Sequence, residues 1–105
     1  MSNKHYKILI PKSVEIALAN QMSYMIKEQH IVSIAYIWFD GIMDAINSLT
    51  EFPNRCPIAP ENSSFKKNSE MIIRHFIYKK SFRIIFTIVK NQVRILSVKH
   101  GARLA

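Results

Sequence analysis

The chain has 105 residues, 49% of them hydrophobic, and its net charge at pH 7 is +8. This length fits one domain with a core of its own, and no apolar run reaches the ~20 residues that a transmembrane helix needs. Because Cys56 is the only cysteine, an intrachain disulfide is excluded, and the chain suits a reducing compartment such as the cytoplasm.

The first half of the chain predicts one strand and a pair of helices. Residues 5–11 are short, β-prone and end at a proline, which is typical of a strand. Apolar side chains recur at helical spacing over residues 13–29 and again over residues 31–49. Two such helices, joined near residue 30, form an antiparallel hairpin whose apolar stripes must cover a sheet. The stripes consist of Val14, Leu18, Met22, Met25 and Ile26, and then of Ile34, Trp38, Ile42, Ala45, Ile46 and Leu49.

The second half predicts a loop and three strands. Residues 50–69 contain three prolines and many polar side chains, so we expect a loop that packs across an edge of the sheet. Residues 70–78 are mostly apolar on both strand faces, which predicts a central strand. In residues 82–103, two β-rich runs flank the polar residues 90–92, as in an antiparallel hairpin. One face of the first run has Phe82, Ile84, Phe86 and Ile88, and one face of the second has Val93, Ile95 and Ser97.

The order strand, helix, helix, strand, strand, strand predicts the fold class. We expect a single α+β domain over residues 1–105, with the two-helix antiparallel hairpin packed on one face of a small, mainly antiparallel four-stranded sheet. The first strand must join this sheet, but the pattern leaves its neighbour open.

Charge is distributed unevenly along the chain. Residues 1–54 contain four basic and five acidic side chains, and residues 55–105 contain eleven basic and two acidic, which gives −1 and +9. This asymmetry favours a polyanionic partner, such as nucleic acid, an acidic protein or a membrane surface. The alternative is a solvated basic face that only keeps the protein in solution.

Two segments resemble a known family. FRIIF at residues 82–86, followed after the turn by VRILSVKHGAR at residues 93–103, resembles the C-terminal hairpin of the RelE/ParE superfamily of toxins. FPNRCPIAPE at residues 52–61 is similar to a loop of many members, and the spacing from Arg74 to Arg83 fits the same pattern. The resemblance covers about the whole chain. It implies an α+β fold and the toxin half of a type II toxin–antitoxin system, a class that includes plasmid stabilisation proteins.

The resemblance also implies a set of site residues. In the ribonuclease branch, basic side chains at the positions of Arg74, Arg83 and Arg103 hold the RNA phosphate, and on an antiparallel meander they could converge. That branch often has a C-terminal tyrosine for proton transfer, and this chain ends at Ala105 before such a residue. His100, whose ordinary pKa is near neutral, is the candidate in its place.

Two branches of the superfamily remain open. The ending from His100 to Arg103 looks more like the ParE branch, whose members inhibit DNA gyrase by binding, and this is the preferred interpretation. In that case the arginines would contact the target or the antitoxin. The alternatives are a RelE-like ribosome-dependent mRNA endonuclease and an inactive basic binding module with the same fold.

The expected partners follow from these interpretations. They are a cognate antitoxin with an acidic, partly disordered segment, and either DNA gyrase or the ribosome with its mRNA. The histidines are scattered and no Gly-rich phosphate loop occurs, so we expect no metal and no cofactor, and we expect no membrane. Cys56 has no neighbouring base, which favours a packed thiol over a nucleophile.

Overall fold

In the computed structural model, which describes residues 5–64 and 71–100, a helical hairpin packs on one face of a four-stranded sheet. The elements in chain order are β1 (Lys7–Leu9), α1 (Lys12–Gln29), α2 (Val32–Asn47), β2 (Ile73–Tyr78), β3 (Phe82–Val89) and β4 (Gln92–His100). The predicted α+β fold is therefore confirmed, including the order of its helices and strands.

The helices are joined by a very short connection. His30 ends α1 with a left-handed φ of 58° and donates its backbone N–H to the carbonyl of Ile26 over 2.8 Å. This C-terminal cap satisfies one of the free carbonyls of the last turn and reverses the chain so that α2 packs on α1. In the part of the chain that the structure describes, no helix is long and apolar enough to cross a membrane.

The sheet has the strand order β1-β4-β3-β2. Strands β2, β3 and β4 form an antiparallel meander. Strand β1 pairs in parallel with the first residues of β4, so β4 is the neighbour of β1 that the sequence pattern did not identify. Strand β2 lies at an edge of the sheet, so the prediction of a central strand was wrong. Its helix-side residues Phe76 and Tyr78 pack against the main core, and Ile73 is buried under the preceding loop on the other face, whereas Ile77 on that face is 51% exposed.

That loop is attached to the edge of β2. The backbone N–H of Ala59 donates to the carbonyl of Ile73 over 2.8 Å, and the N–H of His75 donates to the carbonyl of Pro57 over 3.1 Å. Three short 3₁₀ helices, Ser48–Thr50, Pro53–Arg55 and Pro60–Ser64, stiffen the segment. The predicted packing of a proline-rich loop across the sheet edge is confirmed, and the loop protects this edge from other strands.

The core lies between the sheet and the helices. Alternate residues of β3 face the helices, as predicted, and the remaining β3 residues face the loop, where Ile85 packs with Ala59 and Ile73. Burial of such a set is the main stabilising term of a domain of this size. The main cluster consists of Val14, Leu18, Trp38, Ile42, Ala45, Ile46, Leu49, Cys56, Phe82, Ile84, Phe86, Val93 and Ile95.

An irregularity in β4 changes which residues face the core. Ile85 pairs with Ser97, but the next residue, Phe86, pairs with Ile95, so the pairing skips Leu96. Such a bulge inverts the alternation of side chains along the strand. Val98, and not Ser97, therefore packs against the core, and the prediction that Ser97 shares a face with Val93 and Ile95 was wrong.

Candidate functional site

A cluster of charged side chains lies on the face of the sheet opposite the helices. Arg83 is at its centre, and Glu61, His75 and Lys99 surround it. Arg83 is only 4% exposed, whereas the side chains of Glu61 and Lys99 are 25% and 44% exposed. The cluster therefore connects a buried guanidinium group to the solvent.

Glu61 binds the guanidinium group of Arg83 with both of its oxygens. Arg83 Nη1 donates to Glu61 Oε1 over 3.2 Å, and Nη2 donates to Oε2, which also accepts from Lys99 Nζ over 3.3 Å. A buried guanidinium without such a counter-ion would be strongly destabilising, and the two-pronged geometry is the strongest that a carboxylate offers.

His75 completes the contacts of Arg83. Its Nδ1 lies 2.6 Å from Arg83 Nη1, and since a guanidinium group can only donate, Nδ1 must accept as the unprotonated nitrogen of a neutral ring. Burial and the nearby charge of Arg83 lower the pKa of His75, in agreement with a neutral imidazole, although Glu61 opposes this shift. The Arg83 hydrogen bonds lower the pKa of Glu61 from 4.5 to about 2, so that its carboxylate is charged at neutral pH.

Three structural features bring these side chains together. The 3₁₀ helix Pro60–Ser64 presents Glu61, and this turn is fixed because Asn62 Oδ1 accepts from the backbone N–H of Ile73 over 2.9 Å. Arg83 and Lys99 are directly paired across β3 and β4. The bulge at Leu96 is what places Lys99 on this face, because an uninterrupted strand would turn it towards the helices.

Arg74 is separated from this cluster. It pairs with Phe86, which faces the helices, whereas Arg83 pairs with Ile77 on the other face, and paired residues of a sheet share a face. Arg74 Nη1 instead donates to the carbonyl oxygens of Cys56, at 2.7 Å, and Asn54, at 3.4 Å. The structure does not bring Arg74 and Arg83 together, and the contacts of Arg74 attach the loop to the sheet.

Of the two remaining predicted site residues, His100 is not in the cluster. His100 pairs with Phe82 on the helix-covered face, where the two ring centroids are 4.8 Å apart. It is ~13 Å along β3 from Phe86, the residue paired with Arg74, at 3.3–3.4 Å per residue. Arg103 lies outside the described residues, so its predicted role stays a prediction.

Sequence reasoning named Arg83 but missed its partners. The one available signal was the scarcity of acidic residues after residue 54, since Glu61 is one of only two among eleven basic side chains. Such an isolated carboxylate in a basic half is a candidate partner for a buried arginine. Lys99 could not have been found in this way, because its face depends on the bulge.

Two further chemical possibilities are constrained by the structure. Burial raises the pKa of the Cys56 thiol, although Arg55 and Arg74 oppose this shift, so the thiol is protonated at neutral pH as expected of a packed cysteine. Within residues 5–64 and 71–100, no three His, Cys, Asp or Glu side chains are grouped as metal ligands would be.

Comparisons with family models and with curated proteins return no relative. No family model matches the chain, and a search of curated proteins also finds no match. The resemblance to the RelE/ParE superfamily therefore stays a prediction that depends on the two sequence segments and on the fold.

Proposed function

We propose that this chain is the toxin of a type II toxin–antitoxin pair, of the RelE/ParE type, and that it acts in the cytoplasm as a ParE-like inhibitor of DNA gyrase. The observation that supports this proposal best is the Glu61–Arg83 ion pair. Glu61 ends the FPNRCPIAPE segment and Arg83 is the second residue of the hairpin segment, so the two segments that resemble the superfamily meet in one partly buried contact. Contact between the two segments supports the interpretation that they belong to one site.

The placement of the arginines favours binding over catalysis. Arg83 is buried and neutralised by Glu61, and Arg74 donates to loop carbonyls on the other face. His100 lies on the face of Arg74 but far from it along the sheet. A nuclease needs its phosphate ligands and proton-transfer group within reach of one scissile bond. These side chains do not meet that requirement, whereas a toxin that acts by contact with its target has no such need.

The test is induced expression of the chain in a bacterial host, with three measurements on the same culture. We expect growth arrest, intact mRNA and loss of supercoiling by gyrase, and an otherwise identical gene with an early stop codon serves as the control. New mRNA ends after induction would refute the hypothesis that gyrase is the target. Continued growth would refute the toxin hypothesis and would favour the inactive binding module. Co-expression of an adjacent open reading frame that restores growth would identify the acidic antitoxin.

One observation favours the mRNA endonuclease as the second candidate. Arg83 and Lys99 are paired across β3 and β4 on the face opposite the helices, and two cations there can stabilise the charge that develops at a scissile phosphate. Lys99→Ala separates the candidates, because it removes one of these cations at a partly exposed position. Loss of mRNA cleavage in this variant, with the fold retained, would support the endonuclease.

A further inference from the structure

An apolar groove lies between α1 and α2. It encloses about 350 Å³, near the lower end of the range of ligand pockets, and solvent reaches it because Ala19 in its wall is exposed. Four of its side chains pack against the core and stay partly exposed, so the groove continues the core towards solvent. The apolar lining, which defines this interhelical groove, consists of Ile10, Leu18, Ala19, Met22, Phe39 and Met43.

This lining suits an apolar side chain from a partner. Met22 belongs to α1 and Met43 to α2, and methionine side chains adjust their shape to an incoming group more readily than branched side chains do. The small side chain of Ala19 leaves space between them. An apolar side chain that enters the groove would remove apolar surface of both molecules from water, which is the main driving force for association.

The helical hairpin is the acidic part of a basic protein. Residues 12–47 contain two basic and four acidic side chains, a net charge of −2, and because the whole chain has +8 the remaining residues carry +10. Within residues 5–64 and 71–100, none of these four carboxylates takes part in an ion pair. The four are Glu15, Glu28, Asp40 and Asp44. They are therefore available to the cations of a partner.

Two of these carboxylates lie at the interhelical groove. Glu15 is exposed and forms part of the groove wall, and Asp40, which is also exposed, directly follows Phe39 in α2. Lys12 is one helical turn from Glu15, but the described structure has no ion pair between them. An apolar groove with a negative rim is complementary to a cation beside an apolar side chain, and it repels an acidic segment such as the one expected of the antitoxin.

We infer that the interhelical groove binds a basic amphipathic segment of another protein. An apolar side chain of that segment enters the groove beside Ala19, and a neighbouring lysine or arginine of the segment pairs with Glu15. The inference goes beyond the proposed function and does not depend on the identity of the toxin's target. It gives the protein two binding surfaces of opposite charge, one on the helices and one on the basic half of the chain.

The test is an NMR titration of the full chain with isotope-labelled methionine methyl groups. The probes are two synthetic amphipathic peptides of equal length, one of leucine and lysine and the other of leucine and glutamate. We expect the leucine–lysine peptide to shift the signals of Met22 and Met43. Met25 is the internal control, because it lines a different pocket together with Trp38. The net charge of +8 favours non-specific binding of the acidic peptide, so selective binding of the basic peptide reports the local surface.

Two pairs of variants locate the contact on the groove. Ala19→Phe fills the groove and should weaken binding at least about tenfold, whereas Ala17→Phe, at an exposed position of the same helix outside the groove, should leave the affinity unchanged. Glu15→Lys should weaken binding about tenfold, because it replaces attraction by repulsion at the groove wall. Glu28→Lys changes the net charge equally at an exposed position outside the groove and should have little effect.

Three results would overturn the inference. Equal shifts of Met22 and Met43 with the acidic peptide would show that charge does not select the occupant. Shifts of the same signals on dilution of the chain alone would assign the groove to a second copy of the chain. Binding of neither peptide at these methionines would show that the groove is not a docking site. If Ala19→Phe fails to fold, Glu15→Lys still decides the outcome, because Glu15 is exposed.

Discussion

Substitution of Gly41 by alanine tests the packing of α2 against the sheet. A Cβ atom at Gly41 would overlap the hydroxyl oxygen of Tyr78 and would lie 2.7 Å from its Cζ, in the third turn of the helix. Because Cζ is part of the ring, a simple rotation of the hydroxyl group cannot relieve the overlap, and the whole ring must move. The close contact that requires glycine at this position is thus made by the side chain of Tyr78 in β2.

The expected change in the free energy of unfolding is the balance of two opposing terms. Alanine is about 1 kcal/mol better than glycine in a helix interior, which favours the variant. Against this, Tyr78 is half-buried against the core, and displacing a side chain from a packed position costs about 1–3 kcal/mol. We therefore expect Gly41→Ala to lower the free energy of unfolding by up to about 2 kcal/mol. Each kcal/mol lost corresponds to a fall in Tm of roughly 4–8 °C.

The assay is urea unfolding of a double-mutant cycle. In a Tyr78→Ala background the overlap is absent, so Gly41→Ala should stabilise by about 1 kcal/mol, which gives a coupling energy of about 1–3 kcal/mol. Ser33→Ala, an exposed substitution on the same helix, should have the same small effect in both backgrounds. A stabilising effect of Gly41→Ala in the wild-type chain, or a coupling energy near zero, would refute the reasoning.

Three further predictions concern the loop and the charged cluster. Because the folded-state pKa of Glu61 is lowered to about 2, the stabilising contribution of its charged carboxylate to the free energy of unfolding is fully present above pH 4.5 and is lost as pH falls towards 2. Allowing for the partial exposure of Glu61, we expect the difference in unfolding free energy between wild type and Glu61→Gln, measured by urea titration, to shrink by about 1–2 kcal/mol between pH 4.5 and pH 2. A difference that stays constant with pH would exclude this linkage. Arg74→Ala should free the loop and speed thiol labelling of Cys56 at least about tenfold, and an unchanged labelling rate would show that the loop is held without Arg74. Deletion of Leu96 should remove only the bulge and leave Val98 and Lys99 on their present faces. We expect thermal melting to show a loss in the free energy of unfolding of under about 2 kcal/mol, and failure of this variant to fold would contradict the assigned pairing.

The elements of the fold could be predicted because each has a local cause. Helical spacing defines α1 and α2, and alternation around a polar turn defines the hairpin, so these segments were correct to within a few residues. The edge position of β2 could not be predicted in the same way. Apolar residues on both faces show only that both faces are covered, and here one cover is a loop attached through Ala59 and His75.

The site was predicted less well because it depends on register. The spacing of Arg74 and Arg83 along the chain is correct for two neighbouring strands, yet the pairing Arg74–Phe86 places them on opposite faces. A shift of one residue would reverse that result, and nothing local to either arginine determines it. The same holds for Lys99 and His100, whose faces are exchanged by the skipped residue in β4.

The buried position of Arg83 connects the stability of the sheet to the loop. Removing Glu61 without replacement would leave a guanidinium group that is 4% exposed and has no counter-ion, a change that is expected to be strongly destabilising. The carboxylate that neutralises Arg83 belongs to the 3₁₀ helix Pro60–Ser64, so this ion pair holds the loop against the sheet. A residue of the loop is therefore needed for the stability of the strands that the loop covers.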